Sequence, residues 1–285
     1  LSSLMLSPAV VLASNCIAYV EQRPGVVPVA FAPTQAGGAV EVTYVGHSTF
    51  RLETPGGVVI ATDYNGYAGR GPVPTVVTMN HAHETHFTPF PDPAIEHVLR
   101  GWNPEGGPAV HDLTVADVYI RNVPTDIRSW GGGLERFGNS IFIFEVADLC
   151  IGHLGHLHHK PDAEQLARIG RLDVVFAPVD GSMTLDLPSM IEVLKDLRAS
   201  LVIPMHYFGS SSLNVFLSGM AGDFEIRVAR LNGSGTDWEE PWTGVTPTSI
   251  MLRRPTALRW WEHTRRCRAH RVTRRRRVSS RCSTR

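Results

Sequence analysis

The 285-residue chain has no run of 18 apolar residues, no internal repeat and no pair of cysteines at CxxC spacing. The first absence excludes a membrane-spanning helix, the second a solenoid, the third a cysteine-based zinc ribbon. Its four cysteines, Cys16, Cys150, Cys267 and Cys282, are too scattered for a disulfide framework. Cys150 lies inside an apolar run and is expected to be a buried thiol. Nor is the composition fibrous or disordered: 43% apolar and 19% charged residues, at this length, allow one large domain or two small ones.

A formal net charge of zero hides a split. Arg253 to Arg285 carries 13 arginines, no lysine and one acid, Glu262, which leaves 14 basic against 26 acidic residues before it. Thirteen arginines attract phosphate, and Trp260 and Trp261 offer stacking faces. However, arginine-only basicity with scattered Ser and Cys and no apolar period reads better as non-native sequence, such as a shifted reading frame, so nucleic-acid binding is not expected. Removing residues 253–285 should then leave folding and metal content intact. At the other end, "LSSLMLSPAVVLASNC" has the short apolar segment and small residues of a signal peptide, without a basic start. It predicts export, to a periplasm or outside the cell, if it serves as one, and a cytoplasmic protein otherwise.

Residues 1–38 therefore read as leader and linker, 39–235 as the folded domain, and 236–285 as an Arg-rich, disordered tail. Within the domain "AVEVTYV", "TFRLE" and "GVVIATD" form an antiparallel meander, and "TVVTMN" is a short buried strand. "HVLRG", "VADVYIRNVPT" and "NSIFIFEVADLCIGH" continue the β pattern. "PDAEQLARIG" and "LPSMIEVLKDLRA" have helical spacing, each followed by a strand, "LDVVFAPV" and "SLVIPM". Sheet first and alternation later indicate an α+β protein, sheets packed together with helices outside. The glycine-rich "SWGGGLERFGNS" matches no phosphate-binding motif and is expected to be a loop.

Of 13 histidines, 11 precede the tail. His81, His83 and His86 form H-x-H-x-x-H, "GHLGHLHHKP" holds His153, His156, His158 and His159, and His206 follows "LVIPM". Each group comes just after a predicted strand, where side chains converge on one rim. Imidazole is the commonest protein ligand for zinc, and an open coordination position can hold a reactive water. His81 and His83, two apart in an extended segment, can reach one ion, and His86 the same or a second. Taken singly, His97, His111 and His158 are more simply polar-loop or core histidines.

"VTYVGHSTFRLETPGGVVIATD", "NHAHETH", "GHLGH" and "VIPMHYFG" together resemble the metallo-β-lactamase superfamily, particularly its ascorbate-phosphate-lactonase-like and phospholipase-D-like hydrolases. The resemblance implies a four-layer αβ/βα sandwich holding one or two metal ions, Zn2+ or another divalent metal. It implies His81, His83 and His153 as ligands of the first metal, His86 and His206 of the second, and His47 beside the site. Thr85 and His156 stand where the family keeps carboxylates, so three outcomes are open: a mononuclear site, a second site built from His86, His156 and His206, or lost hydrolysis. Glu84 should point away from the site. Asp63 and Asp180 are candidates to fix a ligand tautomer, although turn-forming aspartates are commoner.

The sequence thus predicts hydrolysis of an ester, lactone or phosphodiester small molecule, with His86 or His156 as the proton-transfer residue. The rival reading is a metal-binding protein of the same fold without turnover. Metal number, substrate and oligomeric state are not fixed by the sequence.

Overall fold

A computed structural model describes residues 14, 16–17, 39–129, 131–229 and 249–253. Two sheets pack face to face. The smaller has five strands in the order β1 (Glu41–Gly46), β2 (Thr49–Glu53), β3 (Val59–Ala61), β4 (Val76–Met79), β5 (His97–Arg100). Its first three strands form the expected antiparallel meander; β3, β4 and β5 run parallel.

Eight strands make the larger sheet: β6 (Asp112–Val115), β7 (Val118–Arg128), β8 (Leu134–Val146), β9 (Leu149–His153), β10 (Val174–Pro178), β11 (Leu201–Met205), β12 (Glu225–Ala229) and β13 (Ser249–Arg253). They lie in the order β12-β13-β11-β10-β9-β8-β7-β6, with β9, β10 and β11 parallel and helices in the crossovers. Those helices are α1 (Ala163–Ile169) and α2 (Leu187–Leu197), joined by α3 (Ser210–Met220) after β11. A capping box between Asp162 and Gln165 starts α1, and the Asp186 carboxylate accepts from the Ser189 N–H to start α2.

Strand alternation divides the core. Phe50, Ile60, Val76, Phe142, Phe144, Phe176 and Ile203 fill the space between the sheets. The opposite faces of β8, β10 and β11 present Ile141, Ile143, Val175 and Val202 to the helices, where Met190, Leu194 and Phe216 meet them. Ala61, Val77 and Met79 face the other way, under Tyr64, Ile95 and Trp102. This is the sandwich the sequence predicts.

Three expectations change. Leu134 already belongs to β8, whose register with β7 pairs it with Arg128, so the glycine-rich loop shrinks to a tight connection. Ser249–Arg253, assigned to the tail, instead forms a strand between β11 and β12, Arg253 lying opposite both Leu201 and Glu225. Main-chain pairing there is indifferent to the side-chain pattern, which is why periodicity missed it. Most of the leader, and the tail beyond Arg253, lie outside the described residues.

The third correction concerns cysteine. Cys16 and Cys150 form a disulfide, with Cα atoms 5.9 Å apart across a sequence separation of 134. The Cys16 carbonyl also accepts from the Arg171 N–H at 2.9 Å, and the Ser14 hydroxyl meets Glu145. A Cβ on Gly170 would stand 2.4 Å from that carbonyl oxygen, so the glycine makes the approach possible. Both cysteines are buried in the sheet–helix core. Part of the segment read as leader is thus fastened to the domain. No helix among the described residues is long and apolar enough to cross a membrane.

Candidate metal centre

The carboxyl ends of β3, β4, β9, β10 and β11 converge on one rim, joined there by the β1–β2 turn. That turn carries His47, β3 runs into Asp63, the segment after β4 supplies His83 and His86, the one after β9 His156, the one after β10 Asp180, and β11 ends at His206. His47, Asp63 and His206 have positive φ of 52°, 42° and 54°. Such a conformation is disfavoured for side-chain-bearing residues, so surrounding contacts must hold it. One is the bond from the His206 N–H to the His47 carbonyl, 3.0 Å.

Four histidines, His47, His83, His86 and His206, each bring a ring nitrogen into a group whose members lie within 4.8 Å of one another. His156 joins them, its Nε2 3.1 Å from His83 Nε2, which in turn is 3.3 Å from His206 Nε2. Outer partners orient the rings. His86 Nδ1 donates to Asp63 at 2.6 Å, and Asp63 also accepts from Asn80 at 2.8 Å. His206 Nδ1 lies 3.1 Å from Asp180 Oδ1, and His83 Nδ1 2.8 Å from the Thr85 hydroxyl. Asp180 has the turn role as well, accepting from the Ser182, Met183 and Thr184 N–H groups.

Electrostatics keep the His47, His83, His86 and His156 rings neutral. Burial first, then the neighbouring imidazoles, pushes His86 well below its ordinary value, lowers His83 and His156 likewise, and brings His47 down to about 2. Against the effect of burial, the adjacent His206 imidazole and hydrogen bonds from Thr184 and Ser182 hold the Asp180 carboxyl well below the usual carboxylate range. Neutral imidazoles present lone pairs, as metal binding requires. The Nε2 atoms of His47 and His86 are buried with no hydrogen-bond partner among the described residues. Buried nitrogens left without partners and aimed at one point are costly, and a divalent cation removes that cost. The residues therefore fit a metal ion. An inner set of imidazoles without carboxylates suits zinc and similar transition metals better than calcium or magnesium.

The structure does not bring every predicted ligand to this point. His81 turns outward: its Nδ1 meets Glu135 at 2.5 Å and its ring stacks on Trp102. His153 is buried behind the site with both nitrogens engaged, Nε2 at 2.9 Å from the Ser48 carbonyl and Nδ1 accepting from the Gly155 N–H at 3.1 Å. The trio implied by the resemblance, His81, His83 and His153, is thus separated, whereas His83, His86, His156 and His206 meet. Glu84 is exposed, as alternation predicts. Sequence reasoning passed over His158, whose ring backs His156 at 2.7 Å; only its i+2 spacing hinted at a shared face.

Residues 41–206, more than half of the chain, match the family model described as a β-lactamase superfamily domain. The chain belongs to the metallo-β-lactamase superfamily. Among superfamily relatives, a metal-dependent hydrolase of Anaeromyxobacter dehalogenans is 27% identical over 213 residues, 61% of this chain and 77% of that one. Another from Nanoarchaeum equitans is 24% identical, covering 59% and 84%. A solved structure from Parabacteroides distasonis, described as a metal-dependent hydrolase, superimposes with a TM-score of 0.50 at 15% identity, over 64% of this chain and 88% of its own. That likeness speaks for the superfamily fold alone.

Proposed function

We propose that this member of the superfamily is a metal-dependent hydrolase acting on an ester, lactone or phosphodiester of a small molecule. The observation that carries the reading is the convergence of His47, His83, His86 and His206, with the Nε2 atoms of His47 and His86 buried and orphaned. The relatives named above as metal-dependent hydrolases support it.

His83, His86 and His206 would hold the ion, leaving one coordination position for water or substrate, with His47 beside it. Zinc is the ion proposed, because it tolerates an all-imidazole set and has no redox chemistry of its own. When bound, such an ion polarises a carbonyl or phosphoryl oxygen and makes water acidic enough to attack at neutral pH. Asp63 and Asp180 fix the rings of His86 and His206, and Phe208, 56% exposed against His47 and His206, gives a substrate an apolar lip. Thr85, with its hydroxyl on His83, would serve as an outer partner in place of a ligand.

The Cys16–Cys150 disulfide supports maturation in an oxidising compartment, hence an exported protein. Elemental analysis of protein purified without added metal, alongside assays on bis(p-nitrophenyl) phosphate, p-nitrophenyl acetate and simple lactones, tests the function. About one ion per chain and turnover abolished by a chelator are expected. Metal-free protein that takes up no zinc would sink the reading, and tight metal without turnover would leave the binding-only alternative.

A further inference from the structure

His156 stands at the position where the superfamily's resemblance implied a carboxylate ligand, and its hydrogen bonds fix where its proton is. The hydrogen-bond relay begins outside the site. The backbone N–H of Arg128 donates to His158 Nδ1 at 2.9 Å. A backbone amide can only donate, so His158 Nδ1 is an acceptor and a neutral His158 carries its proton on Nε2. That nitrogen is 2.7 Å from His156 Nδ1, to which it must donate. His156 Nδ1 is then an acceptor in turn, and the ring's single proton sits on Nε2, facing His83, His86 and His206.

Each ring accepts a hydrogen bond at Nδ1, from the Arg128 N–H and from His158 Nε2–H respectively, so neither carries a second proton. The backbone of His156 is also pinned: its N–H donates to Asn139 Oδ1 at 2.8 Å, and Asn139 is held by Thr125 and the Leu154 carbonyl. The ring therefore has neither a free lone pair to offer an ion nor freedom to swing away.

We propose that His156 is a hydrogen-bond donor in this centre and not a metal ligand, its Nε2–H held inward by His158 and the Arg128 main chain. The inference rests on the reading of the site as a metal centre, and gives it a mononuclear form. In the structure the N–H meets His83 Nε2 at 3.1 Å. With the His83 lone pair engaged by an ion, that N–H would be free to donate to an anionic oxygen of the substrate: a phosphoryl oxygen, or the carbonyl oxygen of an ester as it gains charge. A bridging carboxylate would add negative charge there and accept; the histidine adds none and donates. His158 acts only through His156 and is a positioning residue.

Two measurements test it. Long-range proton–nitrogen NMR on histidine-labelled, zinc-loaded protein should show His156 and His158 as Nε2–H tautomers with Nδ1 unprotonated; a Nδ1–H on His156 with a metal-shifted Nε2 would overturn the proposal. Zinc content should stay at the wild-type ratio in His156→Ala and fall in His83→Ala; loss of zinc from a folded His156→Ala would overturn it equally. His158→Ala should let His156 sample both tautomers, whereas His158→Gln, whose amide can still donate to Nδ1, should restore the Nε2–H form. Wild-type protein that binds no zinc would instead defeat the metal-centre reading, and the tautomers of the metal-free protein would still report on the relay.

Discussion

Reducing the Cys16–Cys150 bond is the perturbation with the largest expected effect on stability. The two residues are 134 positions apart, so the bond closes most of the described domain into one loop of the unfolded chain. For a loop of that size the chain-entropy relation gives roughly 17 cal/mol/K, about 5 kcal/mol at 25 °C, within the usual span of about 2–5 kcal/mol for native disulfides. At a urea dependence of about 2.5 kcal/mol/M, the midpoint should fall by about 2 M on reduction. Some of the loss is local: without the bond, the contacts of Cys16 with Arg171 and of Ser14 with Glu145 must hold the short segment. The assay is a pair of urea titrations, oxidised and reduced, in a Cys267→Ser/Cys282→Ser background that removes the tail thiols. Mass spectrometry of a non-reduced digest should recover the Cys16 and Cys150 peptides joined. Coincident melts, or free thiols at both positions in protein taken from an oxidising compartment, would refute the reasoning.

The outer partners offer further tests. Asp63→Asn removes the carboxylate behind His86 and should weaken zinc binding by about 10–100-fold in a chelator competition, with the fold retained. In metal-free protein, His86, His156 and His47 have folded values below the unfolded value of about 6.5, so their stabilisation is complete above that pH and is lost as pH falls through it, by up to about 1.4 kcal/mol per pH unit for each histidine. Urea midpoints should therefore be lower at pH 5 than at pH 7; equal midpoints would contradict neutral burial. Gly155→Ala places a Cβ 2.3 Å from Asn139 Oδ1 and 2.4 Å from Asn80 Nδ2, at φ +61°, and should cost about 2–4 kcal/mol by thermal melting.

How much of this could be read in the sequence follows from what each residue depends on. The strands with β-branched runs and the two side-chain-capped helices depend on local pattern and were legible. The helix Ser210–Met220 was not: Gly209 precedes it with no side-chain cap. The histidines announced a metal centre because so many follow strand ends. Which of them meet could not be read, because the choice is made by distant partners. Glu135 draws His81 outward, the Ser48 carbonyl claims His153, and Asp63 and Asp180 turn His86 and His206 inward. Thr85 looked like a missing carboxylate, and its hydroxyl in fact lies on the far side of a ring that faces the centre. The disulfide was invisible for the same reason: 134 residues of intervening chain leave no local trace of the pairing.

That pairing changes the topology of the covalent chain. The stretch between Ile17 and Ala39 starts beside a cysteine welded to β9 and runs into β1, so it is one arc of a ring closed through sulfur. A protease that cuts the arc once opens the ring without freeing anything. The nicked protein would run as a single species until a reductant separates it, and a shorter mature form produced by cleavage within the arc would still carry its N-terminal piece.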